Sequence, residues 1–184
     1  MKIGIISDTH DDIENVQRAI EIFNAHGIDY VIHAGDYIFP GIVKEFEKSN
    51  AKLIGVLGNN DGEKAHLLKN FLDIDGELKG ELGEIEFDGL RFGIYHGTVK
   101  EVKERLVNTK KYDVLICGHT HKIELPSDST KEQDENITGK RATTLVLNPG
   151  SAHKKVESES GAFKEGGIII FDTQTKGCKF IELP

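Results

Sequence analysis

Two histidine-bearing stretches, Asp8-Thr9-His10 and Gly118-His119-Thr120-His121, each follow an apolar run, at residues 2–7 and 114–117. In an extended segment the side chains at i and i+2 share a face, so each pair is expected to reach one point in space. Carboxylate and imidazole donors without thiolate suit borderline divalent metals such as Mn²⁺, Fe²⁺, Ni²⁺ or Zn²⁺. Three further polar sites repeat the plan: Gly35-Asp36 after residues 30–34, Gly58-Asn59-Asn60-Asp61 after 53–57, and His96-Gly97 after Leu90–Tyr95. One Asp or Asn at a strand end is ordinary turn chemistry. Five such ends point instead to a metal site, because α/β sheets hold their ligands outside the carboxyl ends of the strands.

The elements that must position these residues follow from hydrophobic periodicity. After the first strand, Asp11-Asp12-Ile13-Glu14 reads as a capping box, and Ile13, Val16, Ile20 and Phe23 form one apolar face before Gly27 ends the helix. A second strand at 30–34 leads to a helix over 41–49 with Ile42, Val43 and Phe46 inward and Pro40 at its entry. A third strand at 53–57 precedes a helix over 62–71. Residues 84–87 and Leu90–Tyr95, joined by Asp88-Gly89, predict a β-hairpin. Thr98-Val99-Lys100-Glu101 predicts another capping box, opening a helix with Val99, Val102 and Leu106 on one side. Strands are expected at 112–117, 143–148, Gly167–Asp172 and Cys178–Glu182. The fold class is therefore α/β, with two packed mixed sheets and helices outside.

At 184 residues, 38% hydrophobic and 29% charged, the chain reads as one globular domain over 1–184 rather than a disordered segment. No apolar run reaches bilayer length, and the N-terminus enters a strand without signal-peptide features, so a cytoplasmic location is expected. A net charge of −8 argues against a nucleic-acid coat or a membrane-surface protein, both of which use basic patches. The two cysteines form no disulfide framework, and Cys117, inside an apolar run, reads as core. Residues 127–141 carry seven charged side chains around Ile137, and are expected to form a polar loop or hairpin insertion, passive or acting as a lid. Residues 154–164 also read as loop.

The ordered motifs Asp8-x-His10, Gly35-Asp36, Gly58-Asn59-Asn60-Asp61, His96-Gly97, Gly118-His119-Thr120-His121 and Asn148-Pro149-Gly150-Ser151 resemble the calcineurin-like metallophosphoesterase superfamily. The short length, the Gly-Asn-x-Asp form and the Asn-Pro-Gly-Ser loop resemble its small YfcE-type phosphodiesterases. The resemblance implies a four-layer αββα fold and two divalent metal ions, Mn²⁺ first among the candidates. One ion would take Asp8, His10 and His121 and the other Asn59, His96 and His119, with Asp36 bridging. It further implies in-line attack by a bridging hydroxide on a small phosphate diester, with Asn59 and Asp61 as the catalytic positions.

Asp61 stands near the place where the wider superfamily carries a histidine beside the leaving oxygen. It is expected to orient substrate or weakly protonate the leaving group, or else to serve only as an Asp-Gly turn. His33 is expected in the core or behind the ligands. His26 reads as a helix-end residue, His66 as a helix-face residue, and His153 as loop or substrate contact. Asn148 is expected to fix a strand end and Ser151 to line the site. A metal-binding scaffold resembling the retromer subunit of this fold, a nuclease and a monoester phosphatase are the alternative functions, and a homodimer is the expected self-association.

Overall fold

The computed structural model describes residues 1–126, 143–153 and 166–184. The first half alternates strand and helix: β1 (Lys2–Ile6), α1 (Ile13–His26), β2 (Tyr30–His33), a 3-10 helix (Pro40–Lys48), β3 (Lys52–Gly55), α2 (Lys64–Asp73) and β4 (Glu77–Leu78). There follow β5 (Leu82–Phe87), β6 (Leu90–Tyr95), α3 (Lys100–Asn108), β7 (Val114–Ile116), β8 (Ile123–Glu124), β9 (Leu145–Pro149), β10 (Gly167–Asp172) and β11 (Cys178–Glu182). They build a six-stranded sheet in the order β11-β10-β1-β2-β3-β4 and a five-stranded sheet in the order β5-β6-β7-β9-β8. Strands β1 to β4 run parallel, as do β6, β7 and β9.

Side-chain alternation along the strands produces the layers. Ile3 and Ile5 of β1 join Ile32, Ile54, Phe92, Ile94, Val114, Ile116 and Phe171 in an apolar seam between the two sheets. Ile6 faces the other way, toward Val16, Ile20 and Phe23 of α1, Phe46 of the 3-10 helix and Phe71 of α2. A smaller cluster of Tyr95, Tyr112, Leu115 and Cys117 meets Leu106 and Val107 of α3 on the outer face of the second sheet. Helices, sheet, sheet, helix is the expected αββα order. Among the described residues no helix is long and apolar enough to cross a membrane.

The two predicted capping boxes have different outcomes. Asp12, one residue later than expected, caps α1 by accepting the Asn15 N–H at 3.0 Å, and Gly27 closes the helix at φ 63°. At α3 the N-cap is Val99, which offers no side-chain oxygen, so the Thr98 box does not form. That helix buries none of its residues. The helix expected at 41–49 is 3-10 wound, entered by Pro40. The predicted hairpin forms, with Asp88 at φ 49° and Gly89 at φ 76° in the left-handed turn that such a connection demands. The short strands β4 and β8, two residues each, were beyond periodicity to find. The readings at 127–141 and 154–164 fall wholly outside the described residues.

Candidate metal centre

The strands end earlier than the apolar runs, and the site is made in the loops beyond them. Asp8, His10, Asp36, His119 and His121 have φ of 53°, 42°, 61°, 67° and 54°. Left-handed turns, rather than the extended backbone of the alternation argument, therefore set where these side chains point. Such turns cost on the order of 1 kcal/mol or more per residue, and Asp, Asn and His tolerate them best. Backbone bonds between neighbouring loops hold the shape. Asp8 N–H donates to the Gly35 carbonyl at 3.0 Å, His10 N–H to the Asp36 carbonyl at 3.3 Å, and Gly118 N–H to the His96 carbonyl at 2.8 Å.

Two groups of donors result. Asp8, His10 and His121 present ligand atoms all within 4.8 Å of one another, and so do Asp8, Asp36 and His96. His121 Nε2 lies 3.2 Å from Asp8 Oδ1, and His96 Nε2 lies 3.3 Å from Asp36 Oδ2. Asn59 Oδ1 is 3.1 Å from His96 Nε2, and the His119 ring sits edge-on to His96 with centroids 5.3 Å apart. Five of the seven sequence-predicted ligand positions, Asp8, His10, Asp36, His96 and His121, thus fall into these two groups, and Asn59 and His119 stand beside His96. His10 Nε2 is buried without a hydrogen-bond partner, 3.8 Å from Asp8 Oδ1 and 3.7 Å from Asp36 Oδ2. A buried nitrogen lone pair facing two carboxylates is what a divalent cation would satisfy.

Electrostatics sharpen that fit. Burial opposes the charge on Asp8, but His10, His121, His96 and Ser7 overcome it and hold the carboxyl far below its usual range. Burial likewise opposes the charge on Asp36, and His96 and Asn60 outweigh it. His10 is raised by the neighbouring Asp8 carboxylate, against burial, with Asp36 adding to the effect. His96 is raised as well, since burial, which disfavours its cation, is outweighed by Asp36 and Asp8. His96 Nδ1 donates to the Ala34 carbonyl at 2.8 Å, which leaves Nε2 as the atom that faces the site.

A second ring of contacts fixes the ligands. His33 is fully buried, accepts the Gly35 N–H on Nδ1 at 3.1 Å and bonds Thr9 Oγ1 through Nε2 at 3.2 Å. Burial pushes its pKa down to about 3, so it is a neutral brace behind the turn, in the place the sequence put it. Ser151 Oγ donates to the Asp8 carbonyl at 2.9 Å, and Asn148 Nδ2 donates to the Gly118 carbonyl at 2.8 Å. The Asn-Pro-Gly-Ser loop therefore ties the two histidine loops together. Gly58 and Gly118 leave room for the carboxylates: a Cβ on Gly58 would strike Asp36 Oδ1, and one on Gly118 would strike Ser7 Oγ. His26 and His66 stay away, bonded to the Ile22 carbonyl and to Glu63 on their own helices or caps. His153 lies 3.7 Å from Asp12, its ring 6.0 Å from that of His10.

Asp61 departs from expectation. Its Oδ1 accepts the N–H groups of Tyr37 at 2.7 Å and Ile38 at 3.0 Å; its Oδ2 accepts those of Asp36 at 3.0 Å and Gly58 at 2.7 Å. Three successive amides converging on one carboxylate form a backbone nest, here around an anion supplied by the chain itself. Within that nest Asp36 and the β-branched Ile38, at φ 68°, are both left-handed. Both Asp61 oxygens are occupied by amide donors, which leaves neither placed to deliver a proton to a leaving group. Nor is it merely an Asp-Gly turn. Four long-range or loop-closing hydrogen bonds accepted by one side chain could not be foreseen from residue types alone.

A four-layer αββα fold with histidines, carboxylates and an asparagine gathered at its strand ends defines a metallophosphoesterase. Residues 1–176 match the Calcineurin-like phosphoesterase superfamily domain, and the chain belongs to that family. Phosphodiesterase MJ0936 of Methanocaldococcus jannaschii is 41% identical over 151 residues, covering 82% of this chain and 83% of that protein. Phosphodiesterase YfcE of Escherichia coli K12 is 24% identical over 164 residues, covering 82% and 79%. A solved archaeal phosphodiesterase superposes with a TM-score of 0.81 at 38% identity, each chain fully covered. Vps29 of Entamoeba histolytica in complex with zinc gives a TM-score of 0.64 at 17% identity over 99% of both chains, a likeness of fold alone.

Proposed function

We propose that this phosphoesterase hydrolyses small phosphate diesters with two divalent cations, Mn²⁺ foremost. One would be held by Asp8, His10 and His121, the other by Asn59, His96 and His119, and Asp36 would serve both. The observation that carries the reading is the orphaned His10 Nε2 between two buried carboxylates, beside the donors His96 and His121. Cations bound there supply Lewis acidity toward the phosphoryl oxygens and lower the pKa of water, so that a nucleophile exists near neutral pH. The phosphodiesterases named above, similar across most of this chain, support the diester over the monoester.

The chain's own residues set the geometry and limit the acid chemistry. Asp61 is a positioning residue: it anchors the Asp36 turn through backbone amides and so aims the shared carboxylate. Asn60 donates through its backbone N–H to Asp36 Oδ1 at 2.9 Å and through Nδ2 to Oδ2 at 2.8 Å. An amide cannot replace a histidine as proton donor. With neither Asn60 nor Asp61 able to protonate the departing oxygen, diesters of acidic alcohols should react much the faster.

Chelator-treated protein, assayed on bis-p-nitrophenyl and p-nitrophenyl phosphate with Mn²⁺, Ni²⁺, Zn²⁺ and Mg²⁺ restored one at a time, tests the reading. Metal-restored diester turnover above monoester turnover is expected. Monoester preference would make the protein a phosphatase. Binding of two ions without turnover on either ester would favour a non-catalytic scaffold.

A further inference from the structure

A cleft of about 550 Å³ opens beside His119, between α3 and the loops that follow β6 and β7. Its walls are Gly97, Thr98, His119 and Thr120 on the metal side and Lys100, Lys103, Glu104, Val107 and Asn108 on the helix, with Glu124 across from them. The helical contributors recur at i, i+3, i+4, i+7 and i+8, one face of α3. The cleft is continuous with the metal centre through His119 and through Thr98, whose Oγ1 lies 3.4 Å from Asn59 Oδ1. A phosphoryl group needs far less space, whereas organic ligands fill pockets of roughly 300–1,000 Å³.

The chemistry of the walls selects the occupant. Lys103 Nζ is bound by both Glu124 oxygens at 2.9 and 2.8 Å, and Lys100 lies 3.6 Å from Glu104. These opposite charges cancel, so the cleft offers no surplus cation for a second phosphate or a carboxylate. Val107 and the aliphatic stems of the paired lysines give it carbon faces. The Asn108 amide and the Thr98 and Thr120 hydroxyls add neutral polar edges. Thr120 Oγ1 already accepts from Asn148 Nδ2 at 3.2 Å and Lys122 N–H at 3.3 Å, which leaves its O–H to donate. An alkyl arm would bury these groups without partners; an uncharged heteroaromatic ring, with a carbon face and a hydrogen-bonding edge, satisfies both kinds of wall.

We propose that this cleft receives the nucleobase end of a nucleoside-bearing phosphate diester, placing its phosphorus beside His119. The proposal rests on the diesterase reading for its substrate, and its test separates the two. Uncharged adenosine and thymidine, titrated into chelator-treated protein and followed by amide NMR shifts, probe the cleft without metal or turnover. Shifts at Gly97, Lys103, Asn108 and Thr120 are expected. With Mn²⁺ restored, thymidine 5′-(p-nitrophenyl phosphate) should show a KM at least about tenfold below that of methyl p-nitrophenyl phosphate, a difference of about 1.4 kcal/mol. Asn108→Trp should fill the cleft and collapse that KM ratio toward one. Glu104→Trp, on an exposed stretch of the same helix face, provides a second filling variant should the first misfold. Nucleoside shifts with no hydrolysis of either diester would overturn the diesterase reading and keep the cleft. Hydrolysis with equal KM values, an absence of nucleoside shifts, or a KM ratio that survives both filled variants would overturn the cleft assignment.

Discussion

On one side of the metal centre, Asp8 and Asp36 are 0% and 2% exposed, in loops that close β1 and β2. On the other, beyond β7, the His119 residue is exposed and the His121 side chain is 20% exposed. The closed wall is dense with directed bonds: Ser7 Oγ donates to Asp8, Asn60 donates twice to Asp36, and Asp61 gathers four amides behind it. The open wall depends on fewer ties, chiefly Asn148 to the Gly118 carbonyl and the His119 N–H to Asp8. The difference follows from charge. A buried carboxylate must find donors wherever it lies, because an unsolvated anion is costly, whereas a neutral imidazole can stand at a surface and meet substrate. On the proposed reading, the carboxylate wall would fix where cations sit, and the imidazole wall would leave the side from which an ester approaches.

The sharpest way to break this contrast is to truncate one ligand from each wall. Asp36→Ala should lower metal-dependent kcat/KM at least about a thousandfold, on the order of 4 kcal/mol of transition-state stabilisation, because it removes the carboxylate proposed to serve both cations. His119→Ala should cost roughly a hundredfold and leave the thermal midpoint near that of the parent, since the residue is exposed and the ring meets the fold edge-on at His96. Kinetics and thermal unfolding of both proteins decide it. If His119→Ala destabilised the fold as much as Asp36→Ala, the open wall would be structural too.

Asp61→Asn probes the closed wall from behind. Replacing one acceptor oxygen by an NH₂ group turns a donor toward amides that are themselves donors. A loss of about 3 kcal/mol in stability is expected, together with a ten- to hundredfold weaker affinity for Mn²⁺, read by denaturant titration and calorimetry. A general acid would respond differently: affinity would hold, and the alkaline limb of the pH profile would move.

The residues of both walls were legible in the sequence because carboxylates, imidazoles and an amide recur after apolar runs, and few other arrangements need them there. The layers were legible because periods of two and near four sort faces toward or away from a core. What escaped was conformation and partnership. The left-handed turns at Asp8, His10, His119 and His121 are loop geometry, fixed by bonds to other loops such as Asp8 N–H to the Gly35 carbonyl. Asp61 serves amides 23 to 25 residues upstream as well as Gly58, a long-range pairing that no local pattern encodes. The missing cap of α3 was hidden for a related reason: Thr98 has the right type, but its hydroxyl lies at the metal side beside Asn59.

His33 offers a pH test of the same wall. A histidine held neutral by burial, with a pKa near 3 in the fold against 6.5 when exposed, binds fewer protons folded than unfolded between those values. Stability from this group is therefore complete above pH 6.5 and is lost as pH falls toward 3. Between pH 6.5 and 5 the loss should be about 2 kcal/mol. Urea titrations of metal-free parent and His33→Gln across that range should diverge by this amount, the variant showing the shallower acid decline. Parallel curves would mean that His33 carries its proton inside the fold.

The contrast extends, at its smallest, to the helices behind each wall. Helix α1 lies against the first sheet with Asn15, Val16, Ala19, Ile20 and Phe23 buried and Asp12 as its cap, whereas α3 buries no residue and begins without a side-chain cap. Asp12→Ala should cost about 1 kcal/mol, since it strips the Asn15 N–H of its acceptor. Val102→Ala, on an exposed position of α3, should stay within about 0.5 kcal/mol of the parent, because little apolar surface is lost and alanine is the better helix former. Chemical denaturation measures both. Equal costs would mean that α3 is anchored through Val102 and that the cleft it borders is rigid; the expected inequality leaves α3 as the wall free to adjust around an ester arm while α1 keeps the carboxylates still.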